Sequence, residues 1–252
     1  MNSAVFRAFC ECRDNFRAIT EEIRAAMPDL QVFQQRLVDE RNGPRYNVDT
    51  PVVYNTALDD VDEASDIRLI LVGDNPGRRE QAAENRRYLV GPSGKIAEGF
   101  FKKESSLHID FRKNVIILNK TPVHTPRTAD LKELCSLGGE EARRIIEDSQ
   151  VKMANLLADF FHALRVPVWV TGYSEMRRRG VFERYTAALR DLAGCGSLDT
   201  ENLFIYRHFS MNQFTIDLRQ KMPPGKSVAE TLRVIGAAYR EKTLPAGDRQ
   251  RV

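Results

Sequence analysis

The sequence predicts an α/β protein: a three-layer α/β/α arrangement around a central four-stranded parallel sheet, preceded by a helical N-terminal extension. Three observations lead there. Four short runs, at residues 67–72, 114–118, 166–171 and 203–206, are almost continuously apolar and rich in Ile, Val and Leu, as strands covered on both faces are. Stretches with helical apolar spacing separate them, and that alternation is the signature of parallel strands joined by crossover helices. Each run also ends in polar or turn-forming residues, which is where an open parallel sheet presents its ligand site.

Taken in order, residues 1–41 place Phe6, Phe9, Phe16, Ile19 and Ile23 on one helical face, and a second periodic segment after Pro28 carries Leu30, Phe33 and Leu37. Arg41-Asn42-Gly43-Pro44 ends it by turn chemistry. Residues 42–66 are irregular, and the acidic run 59–63 reads as a solvated linker, so 1–60 is assigned as extension and linker. The α/β domain is placed at 61–244. Its first strand runs into Gly73-Asp74-Asn75-Pro76-Gly77, where the glycines permit a tight turn and Pro76 fixes φ. A helix over 94–104 follows, then the second strand ending at Asn119-Lys120-Thr121-Pro122. Residues 140–165 form a long amphipathic helix, the third strand ends at Thr171-Gly172, and 175–192 is helical with a break at Gly180. After the fourth strand comes Arg207-His208-Phe209-Ser210, then a last helix over 227–241 and a flexible tail, 245–252.

Composition narrows the function classes. No apolar run approaches the ~20 residues needed to span a bilayer, and no secretory leader is visible, so a soluble cytoplasmic protein is expected, monomeric and without membrane contact. Cys10, Cys12, Cys135 and Cys195 are too few for a disulfide scaffold and are read as thiols. The net charge is only +3, from 38 basic and 35 acidic residues, so any nucleic-acid contact has to come from local clustering. Gly91 to Lys95 is not a phosphate-binding loop, because the first glycine of that motif falls on Leu89 and Lys95 is followed by Ile96.

Asp74 and Asn75 after the first strand, Asn119 after the second, and His208 and Ser210 after the fourth are side chains suited to one site. The carboxyl ends of neighbouring parallel strands face a common crevice, so these groups are expected to meet around a nucleobase-sized hollow.

On these residues the chain resembles the uracil-DNA glycosylase superfamily. Gly73-Asp74-Asn75-Pro76-Gly77 is similar to the first motif in its mismatch-specific and single-strand-selective branches. Leu89-Val90-Gly91-Pro92-Ser93-Gly94-Lys95 resembles the Phe-Val-Gly-Arg-Ala-Gly-Lys segment of the iron-sulfur branch, and the strand ending in Asn119 resembles the one bearing the base-reading Asn. His208-Phe209-Ser210 stands where the family has His-Pro-Ser. The likeness spans residues 66–240 and implies release of uracil or a related deaminated base from DNA.

The resemblance implies a role for each group. Asn75 holds the attacking water, and Asp74 acts as base or orients that water. His208 donates to the base oxygen, and Asn119 reads the base edge. Gly73, Pro76 and Gly77 shape the pocket, with Leu89 in the family's Phe position and Tyr88 able to stack in its stead. Ser93, Lys95, Lys120, Arg207 and Ser210 are expected on DNA phosphates, within an arginine-rich set of loops that includes Arg78, Arg79, Arg127 and Arg177 to Arg179. One of Met211, Asn212 and Gln213 is expected to wedge into the vacated stack. The partner is thus DNA containing a damaged base. No metal or other cofactor is expected, because the cysteine spacing does not match the cluster-binding branch. Two other readings compete: a nucleic-acid-binding module of the same fold with weak or no catalysis, and a hydrolase using Ser93 with His208 and Asp74, which lacks the G-x-S-x-G elbow.

Overall fold

The computed structural model describes residues 1–245; the expected tail, Pro245 apart, lies outside them. Four strands, β1 (Leu69–Gly73), β2 (Val115–Asn119), β3 (Val168–Thr171) and β4 (Leu203–Tyr206), form an all-parallel sheet in the order β2-β1-β3-β4. Every strand residue is buried, which accounts for the unbroken apolar runs. From β1 the chain winds outward to β2 on one side and then crosses to β3 on the other. The boundary between β1 and β3 is therefore the topological switch point, and Asp74 and Gly172 emerge there.

The helices are α1 (Ser3–Ala26), α2 (Leu30–Asp39), α3 (Arg78–Gln81), α4 (Pro92–Lys103), α5 (Asp130–Leu137), α6 (Gly139–Leu164), α7 (Glu183–Gly194), α8 (Gln213–Lys221) and α9 (Val228–Thr243). Trp169 of β3 stacks between Phe101 of α4 and Phe214 of α8, and Tyr206 of β4 donates its hydroxyl to the Leu232 carbonyl of α9, so these helices cover one face of the sheet. The layer opposite is built by α1, α6 and α7.

The N-terminal extension is helical as expected, and it packs on the sheet domain: Phe9 lies edge-on against Phe160 of α6, and Phe9, Phe16, Ile19 and Ile23 join the same continuous core as the sheet. The helix expected from 175 starts only at Glu183, because Arg179 takes a left-handed φ of 63° and the Gly180 N–H closes a turn onto the Arg177 carbonyl. The short helices α5 and α8 lie outside the periodic segments read from the sequence.

Because Phe16 is fully buried, Phe16→Ala lowers stability by about 3–5 kcal/mol, read by urea unfolding. The loss is expected within one cooperative transition, and a separate early step for residues 1–40 would show that the N-terminal helices fold apart from the sheet.

Candidate functional site

The carboxyl ends of β1, β2 and β3 are tied together by one cation. Lys120, fully buried just after β2, donates from Nζ to Asp74 Oδ1 at 2.6 Å, to the Thr171 carbonyl at 2.5 Å and to the Gly73 carbonyl at 3.2 Å. Three acceptors use all three N–H bonds of an ammonium, so Lys120 is charged. The Phe182 ring, 4.8 Å from Nζ, adds a cation–π face. Burial lowers the Lys120 pKa, opposed by the Asp74 carboxylate. Burial would raise that of Asp74, but the Lys120 charge, the field of His208 and hydrogen bonds from Lys120 and Thr128 hold the carboxyl below its ordinary range.

Two glycines make this packing possible. A Cβ on Gly172, whose φ is +90°, would come within 2.1 Å of Asp74 Oδ1, and a Cβ on Gly73 would come within 2.5 Å of Asn119 Oδ1. Asn119 is thus laid over Gly73, its partner in the β1–β2 register. It is 2 % exposed, and its amide nitrogen has no hydrogen-bond partner. A buried donor left unpaired costs about 1–3 kcal/mol, so this amide is short of an acceptor.

His208, after β4, is half-buried and close enough to Asp74 and Lys120 to feel both charges; burial lowers its pKa, the Asp74 carboxylate opposes and Lys120 reinforces the shift. Its Nδ1 lies 3.1 Å from the Ser210 N–H and 2.8 Å from the Ser210 hydroxyl. A backbone N–H only donates, so Nδ1 accepts, the ring proton sits on Nε2, and Nε2 is left to donate elsewhere. Phe209 is fully buried, stacked 4.3 Å from Phe214, and keeps a φ of −69°, within the range that a proline would impose.

Asn75 is half-buried, with its amide nitrogen 2.8 Å from Thr125 Oγ1. Pro76 is buried and Gly77 caps α3, where the Glu80 carboxylate accepts from the Gly77 N–H at 2.9 Å. Burial raises the Glu80 pKa to about 7 against backbone hydrogen bonds from Gly77, Leu89 and Val90, so one carboxyl clasps the 73–77 loop to the 88–90 turn. Leu89 is buried in a left-handed conformation, φ 52°, and its carbonyl accepts from Arg112 at 2.9 Å. That is a strained backbone for a bulky residue.

Several expected contacts move. Lys120, expected on a phosphate, is an internal counter-ion with no surface to offer DNA. Tyr88, expected to stack on a base, is 1 % exposed, packs against Phe16 and donates its hydroxyl to the Val53 carbonyl at 2.6 Å. Ser210, expected on a phosphate, fixes the His208 tautomer. Arg207 is exposed and bonded to Gln213 at 3.0 Å and Tyr239 at 3.3 Å. Ser93 is half-buried in the first turn of α4 and Lys95 is exposed beside it. Met211, 82 % exposed, and Asn212 both adopt left-handed backbones, φ 53° and 58°. The expected hollow is not seen: none of the five described cavities, of about 210 to 640 Å³, is lined by Asp74, Asn75, Asn119 or His208.

Among the described residues no group of three or more His, Cys, Asp or Glu side chains is placed to hold a metal, and no helix is long and apolar enough to cross a membrane. Compared with family models, curated proteins and solved structures, the chain matches none of them.

Lys120→Ala strands the Asp74 carboxylate and is expected to cost about 3–5 kcal/mol in urea unfolding, while Asp74→Asn combined with Lys120→Met recovers much of the loss. The sign with pH follows from the depressed Asp74 pKa. Its stabilisation is full above the unfolded value near 3.9 and shrinks as acid is added below it, so the wild-type advantage over the double variant narrows under about pH 4.

Proposed function

We propose that the protein is a monofunctional DNA glycosylase, hydrolysing the N-glycosidic bond of uracil or a related deaminated base held outside the duplex stack. The observation that carries this reading is the unpaired, buried amide of Asn119 beside Gly73, at the sheet end where Asp74 and Asn75 leave β1 and where His208 lies close enough to Asp74 to feel its charge. An amide that both donates and accepts matches the edge of uracil and mismatches cytosine.

In the reaction the C1′–N bond breaks with its electron pair leaving on the base, water adds its hydroxyl to C1′, and the water's proton ends on the departed base. Asn75 holds the water through its side-chain oxygen, and the His208 Nε2–H donates to the base oxygen as negative charge develops there, a contribution of about 3 kcal/mol for such a donor. Asp74, ion-paired to Lys120, acts by holding the turn that carries Asn75 rather than as a proton acceptor, because a carboxyl held below its usual range is a weak base. Met211, apolar and exposed at the tip of the 208–212 loop, fills the gap left in the stack when the base leaves it. Exposed Lys95 and Arg207, with Arg78, Arg79 and Arg177 to Arg179, supply phosphate contacts. The reaction places the protein in base excision repair, working on DNA in the cytoplasm as a monomer.

An oligonucleotide carrying one uracil, incubated with the protein and then treated with alkali, is expected to break at that position. Asn75→Ala and His208→Ala should each slow the break by about 10²-fold or more. The same assay with hypoxanthine, xanthine and mismatched thymine, in single and double strands, gives the preference. Tight binding by the wild type without strand cleavage for any base would identify a binding module of the same fold.

A further inference from the structure

We propose that Thr125, backed by His124 and Tyr46, is the device that turns the Asn75 amide so that its oxygen faces the crevice. The inference deepens the glycosylase reading and rests on it. Asn75 carries an amide whose two ends are nearly isosteric, and only the oxygen can accept from a water that must attack. Something has to decide which end faces the substrate.

The hydrogen-bond inventory decides it. Thr125 Oγ1 is 2.8 Å from the Arg127 carbonyl, and a carbonyl cannot donate, so the one hydroxyl proton of Thr125 is committed there. The hydroxyl can then only accept from Asn75, which requires the NH₂ at its 2.8 Å contact. The Val123 carbonyl, 3.4 Å from the same nitrogen, makes the same demand more weakly. Both neighbours on that side are acceptors, and the amide oxygen is left pointing away from them.

The loop presenting Asn75 is held by a second chain of the same kind. His124 is fully buried, with Nδ1 2.8 Å from the Pro76 carbonyl and Nε2 3.0 Å from the Tyr46 hydroxyl. The carbonyl requires the proton on Nδ1, so Nε2 accepts and Tyr46 donates. Burial lowers the His124 pKa to about 4, which keeps the ring in that neutral form. Behind it, Gln34 of α2 donates to the His124 carbonyl at 2.8 Å and to the Pro51 carbonyl at 2.9 Å. The Val53 N–H donates to the Pro122 carbonyl at 2.9 Å and the His124 N–H to the Pro51 carbonyl at 3.0 Å. Residues 30–55 therefore brace the segment 122–125, and that segment grips Asn75 and Pro76.

Steady-state kinetics on the uracil oligonucleotide test the assignment. Thr125→Val keeps the shape and removes the acceptor; kcat is expected to fall about 10- to 100-fold with KM unchanged, and Thr125→Ser to restore it. Tyr46→Phe, remote from the crevice, should lower kcat about tenfold, again at constant KM. An active wild type with Thr125→Val equally active, or altered only in KM, overturns the positioning role and leaves the glycosylase reading standing. A Thr125→Ser variant as slow as Thr125→Val also overturns it. A wild type that releases no base from any substrate overturns the glycosylase reading and this inference together.

Discussion

One buried ammonium organises the carboxyl end of the sheet. Lys120 spends its three N–H bonds on groups from β1, from the turn after β1 and from β3, across the switch point of the topology. Two of the three acceptors are backbone carbonyls at strand ends, where the sheet ladder stops and carbonyls need partners from outside it. Replacing this ion pair by hydrophobic side chains of similar volume need not lower stability, because two charges taken out of water repay their desolvation only with good geometry. What the pair provides is registration: the turn that begins at Gly73 can leave the sheet in only one direction while Asp74 is held, and Asn75 is the next residue.

The same constraint explains the local sequence. Gly73 and Gly172 stand where side chains would strike Asn119 and Asp74, so the polar atoms of three strand ends share a volume normally filled by Cβ atoms. On the fourth strand end the loop is held differently. Phe209 anchors it by stacking within the aromatic layer of Phe100, Phe214 and Trp169, and its φ reproduces what a proline would enforce by covalent structure. His208 is thereby presented from a rigid support although the residue after it is an unconstrained type.

The strands were legible because a doubly covered parallel strand has no polar positions to break its pattern, and Leu69 to Val72 or Leu203 to Tyr206 admit few other readings. The polar strand ends were legible for the same reason, as the first residues where the pattern stops. What the sequence could not convey is direction. Lys120 and Tyr88 look like surface groups of a binding loop, yet each turns inward, one toward a carboxylate and the other into the core beside Phe16. Ser210 and Thr125 are ordinary hydroxyls until their partners are known, and those partners are two residues away in one case and fifty in the other. The N-terminal helices read as an extension because apolar periodicity shows that a face is buried but not what buries it.

The electrostatics of the crevice bear on how the proposed reaction runs. Asp74 and Lys120 nearly cancel, and His208 is kept neutral by burial with its proton on Nε2, so the site carries little net charge. A positively charged sugar forming there gains no unscreened anion from the protein, and a departing base anion gains no full cation. Stabilisation then comes from fixed dipoles: the Asn75 oxygen on the water, the His208 N–H and the Asn119 amide on the base. Dipoles act only along their own axes, and a misdirected one contributes nothing or opposes the reaction. A site built in this way depends on orientation more than a charged one would, so in the proposed reaction the acceptors around Asn75, and the N-terminal segment that braces them, matter as much as the groups facing the substrate.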